Sequence, residues 1–320
     1  MFGLIQLGRG LLVALLLLPP AAGAATLNGF DLDDASIPAD EIRAGGPPRD
    51  GIPAIDAPRF VGAAEARFLT PHSRVIGVAI NGDARAYPIA ILNWHEVVND
   101  RLGDTNLVVT YCPLCGTGVV YRAEQDQRLL SFGVSGLLYN SDVLLYDRET
   151  ESLWSQLLHG AISGPLKGAE LVQLPSLLTS WSDWQRRYPA TRVLSTDTGY
   201  RRNYERNPYG GYDESLALYF PVAFLSQQFH PKERVLGVER AGVARAYPFS
   251  ELAKLGNIGE LSDQLGDEVV RIRYDAEARS AELLDAGGQP LAAINAFWFA
   301  WYTFHPDTEV YRAPRSDDAR

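Results

Sequence analysis

V-I-G-V-A-I-N-G-D-A-R-A-Y-P, residues 75–88, is an apolar run, an Asn-Gly step and a second run closed by Tyr-Pro. Both positions of Asn81-Gly82 tolerate positive φ, so the stretch predicts a β-hairpin with a two-residue turn. The Tyr-Pro then ends a strand and can open a helix. The pattern returns at residues 235–248 as V-L-G-V-E-R-A-G-V-A-R-A-Y-P, with nine of fourteen positions identical. Downstream, N-D-R-L-G-D (99–104) resembles S-D-Q-L-G-D (262–267), and each precedes a β-rich run, L-V-V-T-Y or V-R-I-R-Y. W-S-D-W-Q-R-R-Y-P-A-T-R-V (181–193) resembles W-F-A-W-Y-T-F-H-P-D-T-E-V (298–310). Tryptophans three apart share one helical face, and core packing is their expected use.

These matches predict an α+β fold, predominantly antiparallel β, built from two quasi-repeated units at about residues 65–200 and 225–313. The register of Leu-Gly-Asp sets Asp275 against Cys112, Ala278 against Cys115, Ile258 against His95 and Gly259 against Glu96. The offset between matched residues is 163 at Leu-Gly-Asp and 117 at the tryptophans, so the first unit carries about forty-six extra residues. What both units keep reads as scaffold. What only the first has is the candidate for function, and the second reads as a degenerate copy.

Composition sets outer bounds. The chain has 320 residues, 46% of them hydrophobic and 21% charged, ordinary for a globular protein with a sizeable core. Its net charge of −10 argues against a nucleic-acid partner. Arg9, the run L-L-V-A-L-L-L-L (11–18) and A-G-A (22–24) read as an export signal over residues 1–24. The apolar run is too short to span a bilayer, so no membrane span is expected after cleavage. Cleavage removes Arg9 and no acidic residue, shifting the charge to −11. The expected location is the periplasm or outside the cell, where thiols tend to be oxidised. Residues 25–64, rich in Gly and Pro, read as an extended arm whose Ile37, Ile42, Ile52, Ile55 and Phe60 drop into pockets on the body. Residues 314–320 read as a flexible tail.

The two cysteines lie in T-Y-C-P-L-C-G-T-G-V-V-Y-R (110–122). Two glycines and Val-Val-Tyr after the motif place it in a tight turn between strands, not at a helix start, so the fold is not thioredoxin-like. Without a helix N-terminus, turn amides and Arg122 are the remaining means of lowering a thiol pKa. Three uses stay open: a redox dithiol, two ligands for a soft metal such as Cu or Zn with His95 and His159 completing the site, and a local crosslink. The crosslink closes too short a loop to contribute much stability. C-type haem attachment is excluded because no His follows Cys115, and a Met-rich copper mode because the mature chain has no Met.

The block V-S-G-L-L-Y-N-S-D (134–142), absent from the second unit, offers Ser135, Tyr139, Asn140, Ser141 and Asp142. D-R-E-T-E-S (147–152) reads as a hairpin turn, followed by Trp154 and Gln156. For His159 a satisfied structural histidine is the favoured reading. His95, in N-W-H-E-V-V-N-D, is the better proton carrier or ligand.

G-G-P-P-R-D-G-I-P-A-I-D, W-H-E-V-V-N-D, T-Y-C-P-L-C-G-T and V-S-G-L-L-Y-N-S-D…Y-D-R-E-T-E-S-L-W-S-Q together resemble the prokaryotic domain-of-unknown-function family thirty-one seventy-nine, from about residue 40 to the C-terminus. Some similar proteins carry selenocysteine in the cysteine motif. The resemblance therefore implies a nucleophilic, redox-active chalcogen at Cys112 or Cys115, and gives no substrate or cofactor.

The resulting expectation is an exported thiol-dependent oxidoreductase. Cys112 attacks, Cys115 resolves, and His95 with Glu96 manages protons. Ser135, Asn140, Asp142, Trp154 and Gln156 orient a small polar substrate, and a redox partner protein is the other expected partner. The alternative is a non-catalytic binder of a soft metal or metalloid through Cys112, Cys115 and a histidine. A third is an extracytoplasmic scaffold without chemistry.

Overall fold

A computed structural model of the chain describes residues 26–314. The expected export signal at 1–24 and residues 315–320 of the expected tail lie outside the described residues. The protein is mostly β, in largely antiparallel sheets, with four short α-helices among the described residues. No helix of the described residues is long and apolar enough to cross a membrane.

The first hairpin pairs Arg74–Ile80 with Asp83–Pro88. Asn81 and Gly82 both take positive φ, 52° and 89°, as a two-residue turn of this hand requires. Pro88 then caps the helix Ile89–His95. A meander follows, Val97–Leu102, Thr105–Cys112 and Thr117–Arg122. The second hairpin, Arg234–Arg240 with Val243–Pro248, turns at Ala241 and Gly242 and leads into the helix Phe249–Leu252. A second meander follows it, Ile258–Leu265, Glu268–Asp275 and Ser280–Asp285.

Local contacts recur with the pairing. Arg and Tyr of each Arg-Ala-Tyr-Pro stand two apart on a strand, so they share a face and grip one carboxylate. Arg85 and Tyr87 both donate to Asp100, the tyrosine at 2.6 Å. Arg245 and Tyr247 donate to Asp263 at 2.6 and 2.8 Å. Leu177–Ser180 flanks the first hairpin and runs into the helix Trp181–Arg187; Ile294–Phe297 flanks the second and runs into Trp298–Phe304. The buried Trp184 and Trp301 cover Gly77 and Gly237, where a Cβ would come within 2.2 and 2.1 Å of the ring. A short strand adds in parallel to each hairpin, Arg192–Leu194 to the first and Glu309–Val310 to the second, and Phe60–Gly62 then pairs antiparallel with Arg192–Leu194.

The two halves interlock. Ile294–Phe297 also pairs with Thr117–Arg122 through Asn295 and Gly118, joining the second hairpin and the first meander into one sheet. A third sheet holds the hairpin Phe132–Tyr139 with Asp142–Asp147, then Leu153–Ser155 and Ala161–Ser163 on one side. The arm strand Ile42–Ala44 pairs on its other side. In the arm, Ile42 and Ile55 are buried, and Ile37, Ile52 and Phe60 are partly buried against core clusters. Residues 195–233 form no helix or strand, yet carry the buried Tyr212 and partly buried Tyr209, Phe220 and Phe229 onto the core.

Candidate functional site

The cysteines sit where strand Thr105–Cys112 turns back. Cys112 pairs with Thr117, and residues 113–116 cross between the strands. Gly116 supplies a positive φ of 60°, and a Cβ there would meet the Phe297 ring at 2.8 Å. The turn is pinned from the other half of the chain: the Phe297 amide donates to the Cys115 carbonyl at 2.8 Å. Both cysteines are buried free thiols.

The hairpin Phe132–Tyr139/Asp142–Asp147 aims its tip at them. Its turn residues Asn140 and Ser141 take φ of 51° and 66°, a conformation that costs energy in residues with a Cβ. This turn presents the Ser141 carbonyl to both sulfurs, at 3.7 Å from Cys112 Sγ and 3.4 Å from Cys115 Sγ. It also seats the Asp142 carboxyl beside them, so that one ligand atom from each of Cys112, Cys115 and Asp142 lies within 4.8 Å of the others. Asp142 Oδ2 accepts the Leu157 amide at 3.0 Å, while Oδ1 is buried without a partner. Ser141 Oγ, Gln156 Oε1 and the Tyr212 hydroxyl are likewise buried and unpartnered. Each such group forfeits a hydrogen bond to water, at about 1–3 kcal/mol.

Burial governs the electrostatics. It pushes Asp142 up to about 7, partly offset by the Leu157 and Val143 amides and the two thiols. Glu96 rises to about 8, from burial and then the nearby Asp142 charge. Both thiols are raised by burial, but unequally. The neighbouring Cys115 thiol and amide offset part of the rise at Cys112 by favouring its ionised form; Cys115 stands well above the ordinary thiol range.

A cavity of about 140 Å³ opens beside Cys112. The arm contributes Pro47 and Ile52 to its wall, the hairpin Val134 and Leu138, and the 195–233 segment Tyr209 and Phe220. Glu96 faces it too, its φ of 58° turning the chain at the end of helix Ile89–His95. The Tyr209 hydroxyl is placed to hydrogen-bond the Glu96 carboxyl.

A family model matches residues 49–308. The chain belongs to the family described as protein of unknown function, DUF3179. No curated protein and no solved structure matches it.

Of the residues singled out in the sequence, this DUF3179 chain brings Cys112, Cys115, Glu96 and Asp142 together. His95, one residue from Glu96, is held elsewhere: Nδ1 lies 2.8 Å from the Pro53 carbonyl and Nε2 2.7 Å from the Tyr204 hydroxyl. His159 Nδ1 lies 2.6 Å from the Tyr121 hydroxyl, and its ring lines a separate opening with Glu170 and Glu239. The third member of the cysteine cluster is thus Asp142, and neither histidine joins it. Ser135 spans a bulge in its strand, donating to the Leu144 carbonyl and accepting the Leu137 amide at 3.0 Å. Asn140 Oδ1 accepts the Ala223 amide at 2.8 Å. Trp154 is buried with its indole N–H on Asp147 at 2.9 Å. Gln156 donates to Thr110 Oγ1 at 2.7 Å. Sequence reading missed Tyr209, Tyr212 and Ser141's carbonyl. The tyrosines lie in a segment without periodicity, whose length was the available signal, since long structureless loops in compact domains are usually functional or disordered.

Proposed function

We propose that this protein is a thiol-dependent oxidoreductase in which Cys112 is the attacking sulfur and Cys115 the resolving one. The inequality of the two sulfurs carries the reading. Cys112 lines the cavity, and the Cys115 thiol and amide beside it favour its ionised form; Cys115 does not line the cavity and is held further above the ordinary thiol range. At the corresponding turn of the second meander, Asp275 holds the place of Cys112, and its Oδ1 accepts the Ala278 amide at 2.9 Å. A turn amide thus donates to the side chain at the position Cys112 occupies here. The proton acceptor is Asp142, close to both thiols and near neutrality, in place of the histidine expected from sequence. Oxidation joins the two sulfurs and delivers two electrons and two protons to the substrate; an external dithiol restores the pair. Residues 1–24 support a periplasmic or secreted location, which a reporter fusion to that segment tests.

Equilibration of the purified protein in dithiol/disulfide buffers is the decisive experiment. A Cys112–Cys115 disulfide with a potential above about −300 mV supports the reading, because structural disulfides lie lower. A pair that stays as two thiols across the whole range of buffers sinks it.

A second reading draws on Asp142 Oδ1. Two thiolates and a carboxylate suit Zn²⁺, with a fourth position left to water, better than they suit Cu(I), which prefers soft ligands throughout. Elemental analysis of protein isolated without chelator decides this: one zinc per chain, lost in both Cys112→Ser and Asp142→Asn, establishes a metal site. A metal-free, competent dithiol dismisses it.

A further inference from the structure

We infer that the oxidant consumed at Cys112 is a small organic hydroperoxide, an alkyl group bearing a terminal O–OH. This rests on the dithiol reading above and names its substrate. Three features of the cavity select the class. Size comes first. A space of about 140 Å³ holds a molecule near benzene in size, and neither glutathione disulfide nor a protein loop fits it while the arm and the 195–233 segment cover Cys112. Polarity comes second. Ile52, Val134, Leu138, Val143 and Phe220 line it, and no Lys or Arg does, so a neutral molecule with an apolar body is favoured over an anion.

The third feature is the acid. Glu96 faces the cavity with Cys112, beside the Tyr209 hydroxyl. A small disulfide releases a thiolate, a stable leaving group that gains little from a neighbouring acid. A hydroperoxide releases an alkoxide, far too basic to leave without a proton. A buried carboxylic acid kept protonated beside the attacking sulfur meets that need.

Asp142 takes the Cys112 proton, and the sulfur attacks the terminal oxygen of R–O–OH. The O–O bond breaks, the alkoxide takes the Glu96 proton and leaves as R–OH, and Cys112 becomes a sulfenic acid, oxidised by two electrons. The proton on Asp142 returns to Glu96 through solvent. The Cys115 thiol then attacks Cys112 Sγ; the S–S bond forms, and hydroxyl and thiol proton leave as water. One hydroperoxide and two thiols give one alcohol, one water and one disulfide.

The test uses the reduced full chain with tert-butyl hydroperoxide, hydrogen peroxide and hydroxyethyl disulfide, followed by mass and thiol content. The tert-butyl compound should oxidise the pair roughly tenfold or more faster than hydrogen peroxide, from the apolar groups it buries. Cys115→Ser should stop at Cys112 plus one oxygen, trapped by dimedone. Glu96→Gln should slow the alkyl hydroperoxide about a hundredfold and leave hydroxyethyl disulfide within about threefold, an outcome a merely structural Glu96 does not give. If hydroxyethyl disulfide closes the Cys112–Cys115 bond while the alkyl hydroperoxide reacts no faster than with free cysteine, the inference is overturned and the dithiol reading stands. If no oxidant closes the bond, both fall.

Discussion

At the scale of single residues, the site stores its energy in carboxyl groups held away from water. Asp142 and Glu96 ionise at 3.8 and 4.5 as ordinary side chains, but only at about 7 and about 8 in the folded protein. Unfolding therefore releases protons between those limits. The stability due to these groups is full below about pH 4 and is lost as pH rises toward 8. With each pKa unit worth about 1.4 kcal/mol, the reduced protein should lose a few kcal/mol between pH 5 and pH 8 in urea unfolding. Asp142→Asn should flatten this dependence beyond its own share, because the Asp142 charge also raises Glu96; an unchanged pH slope refutes the coupling. The thiols offer a second check. Iodoacetamide should modify Cys112 before Cys115, with a rate that climbs to a midpoint above that of free cysteine, because burial raises both thiols and the turn favours ionisation of the first. Peptide mapping of partly alkylated protein reads the order.

Elements explain which substitutions the scaffold refuses. At Gly237 a Cβ would sit 2.1 Å from the Trp301 ring. That ring has no room to withdraw: its N–H bonds Thr308 at 2.9 Å and its face stacks on His305 at 3.9 Å. Gly237→Ala should cost about 1–3 kcal/mol by overpacking. Gly242→Ala, in the exposed turn with φ of 74° and nothing within 4 Å, should cost about 1 kcal/mol from conformation alone. Chemical denaturation of both ranks them, and the reverse order contradicts the packing argument. The elements were also the most legible part of the sequence. Asn81-Gly82 marked its hairpin because local sterics choose the turn, and the stretch around Cys112 identified a strand–turn–strand because Gly116 and Val119-Val120 resist helix. Asp147–Ser152 likewise turned a hairpin as its polar residues required. His95 was misleading for the opposite reason. Sequence adjacency to Glu96 suggested a shared site, but a left-handed backbone at Glu96 ends the helix there, and the His95 ring goes to Pro53 and Tyr204.

For the whole molecule, the site exists because distant pieces close over it. Asn140 anchors the 195–233 segment through the Ala223 amide, and that segment brings Tyr209 and Tyr212 to the cysteines. Asn140→Ala removes one partly buried acceptor, worth about 1 kcal/mol. It should speed hydrogen exchange around Ala223 and alkylation of Cys112 by about fivefold, while the fold's near-ultraviolet signature stays unchanged. Unaltered exchange at Ala223 tells against the anchor. By itself the sequence determined the hairpins and the turn that holds the thiols. These follow from dihedral preference and from the two-residue period of a strand, both local. Only tertiary structure decided that Asp142 stands beside the sulfurs, that the histidines do not, and that Ile294–Phe297 pairs with the strand after the cysteines. Those outcomes depend on pairings between residues far apart in the chain, where burial sets both the cost and the chemistry of a charge, and no local pattern encodes which partners meet.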